Sequence, residues 1–245
     1  LFTFTYDTQA AAPTVGLVTD SGSSAVDKIT NVGTLSVSGT EVGATVQYSA
    51  NGTDGWSTTA PTLVQGSNTV YVRQTDVAGN TSQATAFTFT YDTQAAAPTV
   101  ALVTDSGSSA VDKVTNDGAL SVSGTEAGAL VQYSANGTDG WSTTAPTLAQ
   151  GSNTVYVRQT DVAGNTSQAT AFTFTYDTQA AAPTVGLVTD SGSSAVDKIT
   201  NVGTLSVSGT EVGATVQYSA NGTDGWSTTA PTLAQGSNTV YVRQT

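Results

Sequence analysis

The residues of this chain best suited to chemistry are its carboxylates. Eighteen Asp and Glu side chains stand against six Lys and Arg, with no His and no Cys, for a formal net charge of −12. They recur at fixed places. Asp7 comes first, then Asp20, Asp27, Glu41, Asp76 and Asp92; Asp105, Asp112, Glu126, Asp161 and Asp177 follow in the same order, and then Asp190, Asp197 and Glu211. An oxygen-only donor set suits a hard cation. Calcium takes roughly six to eight oxygens from Asp, Glu, Asn and backbone carbonyls, whereas magnesium wants a stricter octahedron with more water. Zinc and copper are disfavoured without imidazole or thiolate. The same absence removes nucleophilic triads that use His or Cys. Paired carboxylates are the equipment of a glycosidase, but a small domain repeated almost unchanged offers no deep cleft, so the chain is read as non-enzymatic.

The recurrence has a period. Pro13, Pro98 and Pro183 are 85 residues apart, each inside Thr-Gln-Ala-Ala-Ala-Pro-Thr-Val. A fixed long period with a repeated junction means a tandem array. Residues 1–8 read as the last strand of a preceding repeat, 9–93 and 94–178 as two full repeats, and 179–245 as a third that stops before its final strand. The first two differ at seven positions, Gly16/Ala101, Ile29/Val114, Val32/Asp117, Thr34/Ala119, Val42/Ala127, Thr45/Leu130 and Val64/Ala149. The third differs from the first, over their shared length, only at Val64/Ala234. Domains this small bury only about 60–65% of their unfolded surface and tend to need a staple. Cysteine is absent, which leaves a metal as the natural suspicion.

Each repeat reads as short strands divided by turn signals, with no helical period. Val15 and Leu17 mark a first strand, Leu35 and Val37 a second, Val46 and Tyr48 a third. Asn51-Gly-Thr-Asp-Gly55 is a hairpin signal, because Asn-Gly accepts the positive φ such turns require. Trp56 opens a returning strand and Leu63 lies on another. Val70 to Gln74 forms the next, and Phe87, Phe89 and Tyr91 alternate inward against outward threonines in the last. Asp20 to Asn31 is a polar loop anchored by Ile29. About seven strands in 85 residues is the pattern of an all-β, antiparallel sandwich of immunoglobulin type, repeated end to end.

Alternating strands sort the loops onto two poles. The Asp20–Asn31 loop, the Asn51–Gly55 hairpin and Asp92 fall at the far pole; the Glu41 turn and the Asp76–Asn80 loop fall at the near one. Joined head to tail, the first repeat would bring Asp20, Asp27 and Asp92 towards Glu126 and Asp161 of the second. Five uncompensated carboxylates at one junction would repel and resist desolvation, which a calcium ion resolves. The plainer reading is that each Asp accepts turn hydrogen bonds, as Asp and Asn commonly do, and for Asp54 in its hairpin that reading is preferred. The Asp20–Asn31 loop is not an EF-hand, since it lacks the alternating acidic positions and the terminal Glu.

Other features carry less. The acidic balance argues against nucleic acid and an anionic membrane surface, and no segment resembles a membrane span. Trp56 with Tyr48 and Tyr71 forms either an aromatic platform for sugar or ordinary packing, the second being preferred. The threonine rows invite ice binding, which strand alternation explains without ice. Asn51-Gly-Thr53 and Asn80-Thr-Ser82 match glycosylation acceptors and are discounted in a composition that looks bacterial.

The segments Asp20-Ser-Gly-Ser-Ser…Asp27-Lys-Ile-Thr-Asn31, Ser38-Gly-Thr-Glu41-Val-Gly-Ala-Thr-Val-Gln-Tyr-Ser and Val72-Arg-Gln-Thr-Asp76-Val-Ala-Gly-Asn-Thr-Ser together resemble the bacterial immunoglobulin-like repeats of giant biofilm adhesins, including those with RTX tails exported by type I secretion. The Tyr91-Asp-Thr…Ala-Pro98 junction is similar to the linkers between such modules, and the resemblance covers essentially the whole chain. It implies a non-catalytic extender on the bacterial cell surface, stiffened by calcium at its junctions. Ligands would come from Asp20, Asp27, Asp92, Glu126 and Asp161 at the first junction. At the second they would come from Asp105, Asp112, Asp177 and Glu211. Asp7 would join Glu41 and Asp76, and Asp190 and Asp197 would repeat the loop positions. The partners implied are adjacent repeats of the same chain. A carbohydrate- or ice-binding module is the alternative. Phe2-Thr-Phe-Thr-Tyr6 is also the strand that the third repeat lacks, so one copy could complete another head to tail.

Overall fold

The computed structural model describes residues 1–245 and contains strands, turns and no helices. The first repeat contributes β1 (Thr14–Leu17), β2 (Ile29–Thr30), β3 (Leu35–Ser38), β4 (Thr45–Ser49), β5 (Gly66–Thr75) and β6 (Thr85–Tyr91). One sheet pairs β1 with β3; the other runs β2-β6-β5-β4. All pairings are antiparallel except β2 on β6, where Ile29 lies opposite Thr90. β5 organises the sandwich. Its alternation turns Asn68, Val70, Val72 and Gln74 inward and Thr69, Tyr71 and Arg73 to the other face. Val70, Val72 and Phe89 form the buried centre, with Val15, Leu17, Leu35, Val37, Val46, Tyr48, Leu63, Phe87 and Tyr91 packed around it. Each such apolar side chain contributes about 1.5–3 kcal/mol when fully buried.

The second repeat follows the same order with β7 (Thr99–Leu102), β8 (Val114–Thr115), β9 (Leu120–Ser123), β10 (Leu130–Ser134), β11 (Gly151–Thr160) and β12 (Thr170–Tyr176). It pairs β7 with β9 and orders its larger sheet β10-β11-β12-β8. The third has β13 (Thr184–Leu187) on β14 (Leu205–Ser208) and β15 (Val216–Ser219) on β16 (Tyr241–Gln244). The chain divides into two compact units: Leu1–Ala101 with Ser121–Thr147 and Thr154–Phe172, and Leu102–Leu120 with Leu148–Asn153 and Thr173–Thr245. The dividing line runs through the middle repeat.

Several expectations are revised. Six strands, not about seven, form in a full repeat. Trp56 opens no strand; the return after Asn51 to Gly55 pairs only through the single bridge of Tyr48 and Ser57. Leu63 lies between Pro61, which has no N–H to give a ladder, and the Asn68 side chain, which bonds Val64 N at 3.0 Å and Val64 O at 2.7 Å. Ile29 is a strand residue rather than a loop anchor. The Asn51–Gly55 turn is not at a pole. β4 spans half the length of β5, so its end at Ser49 lies opposite Tyr71, midway along the sheet. Phe2 to Tyr6 forms no strand, although the same alternation does so in β6. β6 has β5 to bond with, and residues 2–6 have no such neighbour. No helix is long and apolar enough to cross a membrane.

Candidate metal centre at the repeat junction

The near end of each sandwich is built around a glutamine. The inward row of β5 continues from Val70 and Val72 to Gln74, which is fully buried. A buried amide is tolerated only when its hydrogen bonds are made. Gln74 makes them by donating from Nε2 to Ala11 O at 2.6 Å and Gly39 O at 3.4 Å, while its Oε1 accepts from Glu41 N at 2.8 Å. Gln159 repeats this on Ala96 O, Gly124 O and Glu126 N. Glu126 Oε1 in turn accepts from Ala96 N at 2.7 Å. The linker residue Ala96 is therefore held through both its N–H and its carbonyl, and the same ring aims Glu126 at the linker.

Next in the inward row comes Asp76, and in the second repeat Asp161, both buried. Asn80 folds the following loop onto Asp76, donating from its backbone N to Oδ1 and from Nδ2 to Oδ2, both at 2.8 Å. The Asn80 side chain, more than the backbone N–H groups of the loop, holds the Asp76 carboxyl below its ordinary value, against the opposing effect of burial. Asn165 grips Asp161 in the same way, at 2.8 and 2.7 Å. It also donates to Asp92 O at 2.8 Å.

These elements gather two trios: Asp7, Glu41 and Asp76, and Asp92, Glu126 and Asp161, with one oxygen of each carboxylate lying within 4.8 Å of the others. Two oxygens on one calcium ion at about 2.4 Å each are at most about 4.8 Å apart, so the spread fits one shared ion. The donor chemistry also fits, being oxygen only. Asp92 Oδ1 accepts from Gln94 N at 3.1 Å and from the Gln65 side chain. Oδ2 of Asp92 and Oε2 of Glu126 stay outside these hydrogen bonds. At the second junction Glu211 accepts from Ala181 N at 2.7 Å and Asp177 Oδ1 accepts from Gln179 N at 3.1 Å, the positions their counterparts hold.

Asp20 and Asp27 stand outside the trio. Asp20 Oδ2 accepts from Lys28 N at 2.8 Å and Asp27 Oδ1 from Ile29 N at 3.0 Å, which fixes the loop around Lys28 and its positive φ of 60°. Asp105 and Asp112, and Asp190 and Asp197, repeat these bonds. Oδ1 of Asp20, Asp105 and Asp190 is enclosed without a hydrogen-bond partner. What the Asp20 loop meets across the junction is not a carboxylate. Ser21 Oγ donates to Ala163 O at 2.8 Å, Ser23 N to Val162 O at 3.0 Å, and Asn31 Nδ2 to Asn165 Oδ1 at 3.1 Å.

The remaining candidates resolve into packing. Asp54 accepts from Asn51 Nδ2 at 2.6 Å, a turn role. The Arg73 guanidinium covers the Trp56 ring at 4.1 Å from its centroid, so that face is already occupied. Thr69 and Thr88 share a hydrogen bond at 2.9 Å, an ordinary cross-strand pair. Two clefts are open hollows: one of about 270 Å³ lies by Tyr48, Asn51 and Asp54, the other of about 590 Å³ by Gln94, Trp141 and Arg158. Neither holds the paired carboxylates of a hydrolase.

Sequence reasoning missed Gln74, Asn80, Ser21, Gly22 and Asn31 and their counterparts. A polar residue continuing the inward row of Val70 and Val72 was the signal for Gln74. Asn80 closes a loop whose Asp76 was already singled out. Nothing in the local pattern marks Ser21, Gly22 or Asn31 as junction residues. No curated protein sequence matches the chain. Bacterial Ig-like domains are typically surface-exposed, non-catalytic structural modules, and tandem copies support an extender or adhesin-like role. The chain belongs to the bacterial Ig-like domain family, which it matches over residues 8–93 and again over residues 94–178.

Proposed function

We propose that this chain is a stretch of the non-catalytic extender of a large bacterial surface adhesin, stiffened by calcium at the junctions between repeats, and that it carries a distal binding domain away from the cell. Its setting is a biofilm adhesin of RTX type exported by type I secretion. The observation that carries the reading is the trio of Asp92, Glu126 and Asp161, drawn from a linker, a turn and a loop, with an oxygen of each inside 4.8 Å of the others. Bound calcium would supply positive charge to three carboxylates that otherwise repel. Asp92 belongs to the end of the first repeat, Glu126 and Asp161 to the second. Holding them together fixes the linker at both ends. Extracellular calcium modules bind with Kd values of about 10⁻⁴ to 10⁻³ M. Binding only the folded form stabilises it by mass action, so export in the calcium-poor cytoplasm and stiffening outside follow from one equilibrium.

Calorimetric titration of calcium into the wild-type chain and into Asp92→Asn/Glu126→Gln tests this. The amides keep the hydrogen-bond acceptors for Gln94 N and Ala96 N while removing charge. Wild type should bind with sub-millimolar to millimolar Kd, and the double variant should lose the first-junction site. Small-angle scattering should show a narrower range of dimensions with calcium than with chelator. Unchanged heats in the double variant would remove the trio as the ligand set.

A further inference from the structure

We propose that consecutive repeats are also joined by an ion-independent latch, in which the Ser21-Gly22-Ser23 turn and Asn31 of one repeat lock into the Val162-Ala163-Gly164-Asn165 loop of the next. This deepens the extender reading and rests on it for its biological use. Its crossing bonds involve no carboxylate, although the loop it grips begins at Asp161 and its Asn165 also bonds that carboxylate.

Four hydrogen bonds cross from turn to loop, from Ser21 Oγ, Ser23 N, Asn31 Nδ2 and, at 3.5 Å, Ser23 Oγ. None involves a group that titrates near neutral pH or a carboxylate. The backbones also touch. A Cβ on Gly22, at φ +94°, would lie 1.9 Å from Val162 O and 2.6 Å from Ala163 C, and one on Gly164 would lie 3.1 Å from Gly22 Cα. Only glycine at position 22 allows that approach. The contact changes burial as well as bonding. Ala163 is 1% exposed, whereas Ala78, its counterpart in the first repeat, is exposed. Val77 is 78% exposed, and Val162 is half-buried.

The turn is already shaped for this. Ser21 Oγ lies 3.0 Å from Thr30 Oγ1 and 2.8 Å from Asn31 Oδ1 within its own loop, its single proton being shared between Asn31 Oδ1 and Ala163 O. Ser106 makes the same two bonds at 3.1 and 2.9 Å, and Ser191 at 3.0 and 2.6 Å, with no loop of this kind against them. Docking therefore orders little that is not already ordered, which favours a tight contact. The surface recognises one partner, the Asp-Val-Ala-Gly-Asn loop of a following repeat.

The test uses glycines in matched pairs. Gly107 has the same sequence neighbours as Gly22 and φ +96°, but nothing within 4 Å of an added Cβ. Gly22→Ala and Gly107→Ala thus share the local backbone strain, and only Gly22→Ala strikes the neighbouring loop. Gly164→Ala and Gly79→Ala, at φ +95° and +92°, form a second pair with a milder clash. The chain lacks cysteine, so Thr59→Cys and Thr144→Cys on exposed positions place one spin label in each of two repeats. Distance distributions are recorded by pulsed electron resonance in EDTA. The wild-type chain should give one narrow distribution, Gly22→Ala a distribution at least twofold wider, and Gly164→Ala an intermediate width. Gly107→Ala and Gly79→Ala should match wild type. A wild-type distribution as broad as that of Gly22→Ala, or equal broadening by Gly107→Ala, overturns the latch. Should Gly22→Ala unfold its repeat, the Gly164 and Gly79 pair decides alone. Calcium titration of the same samples reports on the metal reading separately: absent binding with a narrow wild-type distribution removes the ion and leaves the latch.

Discussion

The two junctions of this chain share one linker, and the sequence carries the Asp-Val-Ala-Gly-Asn loop of the downstream repeat at the first. At the first, Ser21 and Asn31 reach Ala163 and Asn165, and Asp92, Glu126 and Asp161 come together. At the second, Ser106 Oγ bonds Thr115 and Asn116 of its own loop. What stays constant is the linker anchor. Gln244 holds Ala181 O and Glu211 N at 2.6 and 2.7 Å, just as Gln159 holds Ala96 O and Glu126 N at 2.6 and 2.9 Å. The Asp76–Asn80 sequence recurs at the first junction as Asp161–Asn165. A junction thus has two separable layers. One ties the linker to the downstream sandwich, and the other closes the upstream sandwich onto a loop.

The anchor is the layer to break for the largest effect. Gln159→Leu leaves Ala96 O, Gly124 O and Glu126 N without their partner inside the sandwich. Orphaned buried polar groups cost about 1–3 kcal/mol each, and partial rehydration at the repeat end brings the expected total to about 3 kcal/mol. Urea unfolding of the chain measures it. Because the second junction carries the same anchor, Gln244→Leu should free the linker there too, seen as faster amide exchange at Ala181. A loss below about 1 kcal/mol for Gln159→Leu would show that the linker is held by other means.

Next in size is the charge layer. Glu126→Gln should weaken calcium binding at the first junction at least tenfold, equivalent to about 1.4 kcal/mol. Glu211→Gln should change binding at the first junction far less, since Glu211 lies outside that trio. Equal losses in the two variants would disconnect the trio from affinity.

How much of this could be read from the sequence divides along physical lines. The alternation in Phe87-Thr-Phe-Thr-Tyr91 and Val70 to Gln74 marked β6 and β5, because a half-buried strand exposes its period locally. The grouping of Asp92 with Glu126 and Asp161 followed from strand direction alone. Asp20 and Asp27 lie outside that group, with one oxygen of each accepting from the backbone of its own loop, and pole membership does not resolve such distances. Pairing of Ile29 with Thr90 was hidden because two residues carry no period. The latch was hidden for another reason: its recognition runs through backbone carbonyls and a missing Cβ, and neither has a sequence signature beyond a glycine in a polar turn.

A smaller effect separates the hydrogen bonds of the latch from those of the loop. Asn31 bonds both Ser21 and Asn165, whereas Asn116 bonds only Ser106. Replacing each with Ala removes the same bond within the loop, and only Asn31→Ala removes one across the junction. Asn31→Ala should therefore destabilise by about 1 kcal/mol more than Asn116→Ala, the usual net value of one hydrogen bond. Equal effects by chemical denaturation would mean that the Asn31–Asn165 contact contributes nothing.

The smallest effect concerns the same loop in the first repeat. In the first repeat Asp76 is tied to Asn80, and its carboxyl lies below the ordinary value of 3.8, chiefly because of the Asn80 side-chain bond. A carboxyl depressed in the folded state stabilises the fold above its unfolded pKa, and that stabilisation is lost as the pH falls through the lowered folded value. The Asp76–Asn80 loop should then hold at pH 4 and open only on further acidification. Asn80→Ala removes the main cause, so the Asp76 titration midpoint should move up towards 3.8 and the loop should open at a higher pH. Carbon-detected NMR of the Asp76 carboxyl follows the midpoint directly, and exchange of the Gly79 amide, which donates to Asp76 O at 3.2 Å, follows the loop. If Asn80→Ala left the midpoint unmoved, the carboxyl would be held down by the backbone N–H groups of the turn. Asn80 would then serve to shape the loop that a neighbouring repeat grips, and not to tune its charge.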